Sequence, residues 1–363
     1  MCTPLALLVF ACLFFIRIVG ERFVDLHSFI VRHEDYLIGY TLNESDYDYI
    51  NAIQVSSQNQ QVLALGSSRV LQFRESMFSS PFYTIGLAIS GTDDLGPFID
   101  FFEDEGIQPK LLLLGLDQWM YNRAYASSYT KEYVPPKLES QLGMPDLPAL
   151  RTALKNAFRA DLSRLLEAPD NKLGFKSRLH NMGLREDGSW SYGDKLAKDG
   201  VFDRNSWDYN FSDTYSRISQ GNRRFEHGDT PDSLSLSRTK DALQRLKSLN
   251  IRTVVFLPPF APSVLDSMHK SGNYGYLNEL PALLKVVCEA TGHQFLDLSG
   301  MSCTNCTDSN YIDGFHGSEA VYLQILATIA DSNQLASTLI DGRIHEIVDQ
   351  KIASPFDAST HLE

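Results

Sequence analysis

Two short motifs, far apart in the chain, carry residue types that could do chemistry together. Gly66-Ser67-Ser68-Arg69 ends the apolar run Val62–Leu65, and Asp313-Gly314-Phe315-His316 lies near the C-terminus. A serine hydroxyl is a weak nucleophile until a base takes its proton. A histidine is such a base when a carboxylate holds its second ring nitrogen. Asp313 and His316, three residues apart, can project from one turn. Together the motifs point to nucleophilic acyl transfer, with Ser68 as nucleophile, His316 as base and Asp313 as its orienting group. Each alone has a plainer reading. Gly-Ser-Ser after a strand makes a turn and a helix cap, and Asp-Gly-Phe-His makes a turn with a surface histidine.

The elements that must position these residues follow from the hydrophobic pattern. Val62–Leu65 reads as a buried strand, and Tyr83–Ile89 as a second that ends at Ser90-Gly91-Thr92. Leu95, Phe98, Ile99 and Phe102 recur at helical spacing behind a Thr92 or Asp93 cap, and Gly106 ends that helix. Lys110–Gly115 is a third strand, apolar as in strands covered on both faces. After an interruption the rhythm resumes. A helix over 236–249 precedes a strand Thr253–Leu257, and a helix over 275–290 precedes a strand Gln294–Leu298. A last helix starts near 318, with Val321, Ile325 and Ile329 on one face. Alternating strands and helices predict an α/β fold with a mostly parallel sheet and helices on both sides. In such sheets ligands bind at the carboxyl ends of the strands, where both motifs fall.

The interruption, about 118–235, reads as an insertion within a catalytic domain spanning 61–335. It holds a helix over 150–166 and then Trp190, Tyr192, Trp207, Tyr209, Phe211 and Tyr215. Those rings either stack on sugars or form a small aromatic core under a loop-rich insertion. Residues 21–60 read as a stalk, and 336–363 as a tail whose end resembles a tag scar. Leu5–Ile16 is unbroken and apolar, and Ile18 and Val19 follow a single Arg17. With no small-residue cleavage site after it, 1–20 is expected to be an uncleaved membrane anchor or signal. The flanking Arg17 and Arg22 alone would put the body in the cytoplasm. An extracytoplasmic body is nevertheless the expectation, the natural start being open.

The formal net charge of −13 argues against nucleic acid or an anionic membrane surface as the main partner. A hydrophobic content of 43% allows a sizeable core. Of five cysteines, Cys303 and Cys306 make a lone CxxC without a second ligand pair, so no metal or other cofactor is expected. In an exported protein a disulfide between them, or to Cys288, is expected.

These motifs resemble the SGNH (GDSL-like) hydrolase superfamily over about 60–120 and 236–332. The resemblance implies a flavodoxin-like three-layer sandwich, with Ser68, Asp313 and His316 as the triad. Its second block, matched by Ile89-Ser90-Gly91-Thr92, implies the Gly91 N–H as an oxyanion donor. Its third block, Gly-x-Asn-Asp, is matched only by Gly115-Leu116-Asp117-Gln118. An ionised Asp117 cannot donate, so Gln118 or Asn122 is expected to supply the amide, unless Asp117 serves another purpose. Arg69 either binds an anionic group or neutralises a neighbouring carboxylate. An N-terminal anchor before such a domain is similar to bacterial extracytoplasmic proteins that acylate cell-surface glycans, such as alginate acetylation proteins and the D-alanyl transfer protein of teichoic acid synthesis. That implies O-acyl transfer, with acetyl the foremost group, to a cell-surface polysaccharide, and a membrane-bound O-acyltransferase as partner. A carbohydrate acetyl esterase with the same triad, and a non-catalytic glycan-binding or scaffold module, are the alternatives.

Overall fold

In the computed structural model, residues 3–44, 46–129, 148, 151–152, 155, 162–193, 208, 210–301 and 307–352 are described. In chain order their strands are Leu37–Ile38 (β1), Val62–Leu65 (β2), Phe82–Ile85 (β3), Leu111–Gly115 (β4), Lys172–Leu173 (β5), Gly183–Arg185 (β6), Trp190–Ser191 (β7), Arg252–Leu257 (β8) and Gln294–Asp297 (β9). The larger sheet has five strands in the order β3-β2-β4-β8-β9, every neighbouring pair parallel. Val62 of β2 sits level with Phe82 on one side and Leu111 on the other. β2, β3 and β4 are buried along their whole length, which is why their sequences are apolar without alternation. Counted within the sheet, the order is 2-1-3-4-5, that of doubly wound α/β proteins, with a switch point between β2 and β4.

The helices form two groups. Leu95–Glu105, Ser233–Ser248 and Tyr276–Thr291 pack together, as do Glu319–Ser332, Gln334–Leu339 and Ile344–Ile352. One parallel sheet with two helix groups suits a three-layer α/β arrangement. Leu95–Glu105 buries Leu95, Phe98, Ile99, Phe101 and Phe102 and ends at Gly106, whose φ of 66° is the left-handed C-cap conformation that glycine adopts freely. Each such buried side chain stabilises the fold by about 1.5–3 kcal/mol. β3 is shorter than the apolar run suggested. It stops at Ile85 because Leu87 turns the chain at φ 66°, and Ile89 then returns to donate to the Gly66 carbonyl. A helix the periodicity did not reveal, Pro262–Ser271, starts with proline at its first position, where the missing N–H costs nothing.

Residues 21–60 are not a stalk; they are built into the body. β1 pairs parallel with β5 and antiparallel with β6, both from the insertion. Leu26, Phe29, Tyr36, Tyr40, Tyr47 and Ile50 bury with Leu173 and Leu184. The buried Glu21 carboxylate accepts the N–H groups of Thr41, Leu42 and Phe175. The hairpin β6–β7 hangs on the large sheet: Thr84 of β3 donates to Asp187, and Trp190 donates to Leu71. The Trp190 ring meets Tyr47 edge-on at 5.3 Å. Tyr192 and Phe211 are buried and Tyr215 packs on the core, so these rings are structural rather than sugar platforms. Trp207, Tyr209 and most of the expected helix over 150–166 lie outside the described residues.

Thr3–Ile18 is helical. Ile16 and Val19 pack on Leu165 and Phe175, while Phe10 and Phe14 are exposed. No helix among the described residues is long and apolar enough to cross a membrane. Cys303 and Cys306 lie outside the described residues. Cys288 is a free thiol, which removes the disulfide to it, and burial pushes its pKa up to about 12.

Candidate active site

The switch point brings the two motifs together. Gly66-Ser67 leads out of β2 into a short 3-10 turn, Ser68–Val70. The backbones of β2 and β4 approach closely there: a Cβ on Gly66 would stand 2.7 Å from the Gly115 carbonyl oxygen. The two serines divide their roles. Ser67 is buried, and its Oγ caps the turn by accepting from the Arg69 N–H at 3.1 Å. Ser68 is half-buried, and its Oγ lies 2.8 Å from Nε2 of His316.

Asp313 and His316 occupy a tight loop after β9. The Ile312 N–H bonds to the His316 carbonyl, and Tyr311 pairs with Gly317 across the loop. Nδ1 of His316 is 2.7 Å from Oδ2 of Asp313. The other oxygen, Oδ1, accepts the N–H groups of Phe315 and His316 at 3.0 and 2.8 Å. Burial pushes the Asp313 carboxyl up, but the His316 ring and these donors outweigh it and hold the pKa below the ordinary range. An ionised Asp313 accepts a hydrogen bond from Nδ1–H and so fixes that tautomer, leaving Nε2 to face Ser68 with its lone pair. Beneath the imidazole lies Phe315, 4.4 Å away, which meets Trp119 and Phe225 edge-on at 5.9 and 5.8 Å.

The other candidate residues are engaged elsewhere. Asp117 and Arg69 form an ion pair of 3.3 Å, with side chains 0% and 1% exposed. Arg69 also donates to Gln118 Oε1 and to the carbonyls of Pro258 and Pro259, at 2.8, 2.8 and 2.5 Å. Arg69 is therefore a structural cation, and the carboxylate it neutralises is Asp117. Burial pushes Asp117 up and Arg69 down. The Gln118 amide donates to Pro258 and Ser299. Asn122 caps the helix Arg123–Ser128 with its oxygen and donates its amide to the Glu226 carbonyl. Neither amide is available to a substrate. The Gly91 N–H, with that of Ser90, donates to Asp94 Oδ2 at 3.1 and 2.7 Å, and the Tyr129 hydroxyl shares that oxygen at 2.8 Å. The Tyr129 ring leaves 2.5 Å for a Cβ on Gly91. The Ser68 N–H, at the nucleophile itself, has no hydrogen-bond partner among the described residues and is free to meet an oxyanion.

Sequence reasoning passed over Asp94, Trp119, Tyr125, Tyr129 and Arg224, all of which border this site. Asp94 had a signal, a carboxylate three residues after Gly91 at a helix start. The others had none, because loops carry no periodicity. Among the described residues no group of three or more His, Cys, Asp or Glu side chains is placed to hold a metal. No protein-family model matches the chain, and no curated protein matches it.

Proposed function

We propose that this chain is an SGNH-type serine acyltransferase. It moves an O-acyl group, acetyl being the simplest, onto a hydroxyl of a cell-surface polysaccharide through an acyl-Ser68 intermediate. The observation that carries the reading is the unbroken series of hydrogen bonds from Ser68 through His316 to Asp313. The doubly wound strand order, with this series at the switch point, supports it further.

In the first half-reaction Ser68 Oγ attacks the donor carbonyl while His316 Nε2 takes the hydroxyl proton. Asp313 holds the imidazolium. The tetrahedral oxyanion meets the Ser68 N–H. The C–O bond to the leaving alcohol then breaks, and that alcohol takes the proton from Nε2. In the second half-reaction His316 deprotonates the sugar hydroxyl, which attacks the acyl carbon, and Ser68 leaves with the proton. On this reading a membrane-bound O-acyltransferase supplies the acyl group. The apolar helix Thr3–Ile18, with Phe10 and Phe14 exposed, attaches the chain to the membrane, and the catalytic body is extracytoplasmic.

A fluorophosphonate probe and an activated acetyl ester, offered with and without an oligosaccharide acceptor, test the proposal. Wild type is expected to take the label and to yield acylated sugar. Ser68→Ala is expected to do neither while melting at the wild-type temperature. Undiminished turnover by Ser68→Ala would overturn the reading.

A further inference from the structure

Arg69 follows the nucleophile directly in the chain, yet its side chain turns away from solvent and is 1% exposed. Its own N–H donates to Ser67 Oγ at 3.1 Å, so it helps to close the turn that presents Ser68. The guanidinium then spans the ends of two strands. On one side it meets Asp117 and Gln118, which follow β4, at 3.3 and 2.8 Å. On the other it donates to the carbonyls of Pro258 and Pro259, which follow β8, at 2.8 and 2.5 Å. The ring centres of Trp119 and Phe260 lie 5.1 and 4.6 Å from its central carbon.

Both sides lead on to His316. Two residues beyond Pro259, the Ala261 N–H donates to the Gly314 carbonyl at 3.1 Å, inside the Asp313–His316 loop. Gly314 is tightly seated there: a Cβ on it would stand 2.6 Å from Thr214 and 2.9 Å from Val264. Next to Gln118, Trp119 meets Phe315 edge-on at 5.9 Å, and Phe315 lies 4.4 Å from the His316 ring. One guanidinium therefore ties the Ser68 turn to its histidine by a hydrogen-bonded route and by a ring-packed one.

Stability alone does not call for a charge at this place. Apolar side chains of similar volume commonly match or better a buried ion pair. This pair is also incompletely satisfied, because Arg69 Nε and Asp117 Oδ2 are buried without hydrogen-bond partners among the described residues. What apolar packing cannot supply is direction. A planar fork fixes the angles to two carbonyls and a carboxylate at once.

We propose that Arg69, held by Asp117, is a positioning residue for the reaction at Ser68: it locks the nucleophile turn to the segment after β8 and so sets the 2.8 Å approach of Ser68 to His316. The reaction it serves rests on the acyl-transfer reading; the separation it sets is measured without turnover.

The double variant Arg69→Met/Asp117→Leu removes both charges and keeps the volume, so it is expected to melt near the wild-type temperature. Its kcat on an activated acetyl ester should fall about 100-fold, the cost of roughly 1 Å of misplacement. KM should stay within about twofold, and fluorophosphonate labelling should slow in parallel with kcat. Its crystal structure should place Ser68 Oγ and His316 Nε2 more than about 3.5 Å apart, outside hydrogen-bonding reach. Arg69→Lys keeps a counter-charge for Asp117 without the fork. It should lose at least about tenfold in kcat, and it supplies the same readouts should the double variant not fold. Full turnover in either variant, or the 2.8 Å approach retained in the double variant, would overturn the proposal. If wild type neither takes the label nor turns over the ester, yet the two atoms part in the double variant, the acyl-transfer reading falls and the positioning role stands.

Discussion

At the scale of single residues, the site sits on two kinds of buried charge. Asp313 is exposed at one edge to the imidazole it orients and is otherwise saturated by backbone N–H groups. Asp313→Asn keeps the shape but can stabilise the wrong tautomer on His316. Turnover of an activated ester should fall by about 10⁴-fold, as for an orienting carboxylate in a triad, with the melting temperature near wild type; a loss under tenfold would show that His316 does not depend on Asp313. Arg69 and Asp117 are different, because nothing of either reaches solvent. Asp117→Leu leaves a guanidinium buried without its counter-charge, at an expected cost of about 3–5 kcal/mol. The double variant Arg69→Met/Asp117→Leu should recover most of it. Urea unfolding checks both, and a single variant within about 1 kcal/mol of wild type would show that the pair is not needed. Asp117 was legible in the sequence as a departure from a pattern. Arg69 was legible as a cation that could neutralise a neighbouring carboxylate; that the carboxylate is Asp117 was not, since the two meet only through the fold.

At the scale of elements, β2 and β4 were legible because burial on both faces makes them apolar without interruption, while β9, only partly buried, was legible through its place in the strand–helix rhythm. The small sheet was not legible. β1, β5 and β7 are two residues each, too short for any alternation to register, and their partners lie across the chain. Hence residues 21–60 read as a stalk when they are half of a second core. The hinge between element and site is Gly66. A methyl group there would press on the Gly115 carbonyl and Val70, neither of which can swing away as a flexible side-chain end would. Gly66→Ala should part the ends of β2 and β4, lowering stability by about 1–3 kcal/mol, as overpacking does. Turnover should drop further than stability, because Ser68 rides on the displaced turn. A variant that is destabilised yet fully active would show that the turn is positioned from its other side, by Val70 and Leu71.

At the scale of the whole molecule, a buried carboxylate reinforces the backbone bonds that join the insertion to the core. Asp187, 2% exposed, accepts from Arg74 at 2.9 Å, from the Glu75 N–H at 3.1 Å and from the Ser189 N–H at 3.0 Å. Arg74 reaches on to Glu319 at 3.2 Å, the start of the helix behind the His316 loop. Burial pushes the Asp187 carboxyl up, but Arg74, Ser189 and Arg185 outweigh it and hold its pKa below the ordinary 3.8. The folded value is depressed, so the unfolded chain binds more protons in the window between the two, and stability rises with pH there. The contribution is complete above 3.8 and is lost as pH falls through the folded value. Asp117 and Glu21 have the opposite sign, since burial raises them; they lose stability as pH rises through their own windows. Both are unchanged in Asp187→Asn, whereas Glu75 and Glu186, which burial and the Asp187 charge hold above the ordinary range, relax toward it, so the difference between that variant and wild type reports Asp187 together with these two neighbours. Thermal melts from neutral pH downward should show the variant less stable, with the gap narrowing once the pH drops below about 3.8. A gap that stays constant into acid would mean that Asp187 joins insertion to core by shape alone, with its charge contributing nothing.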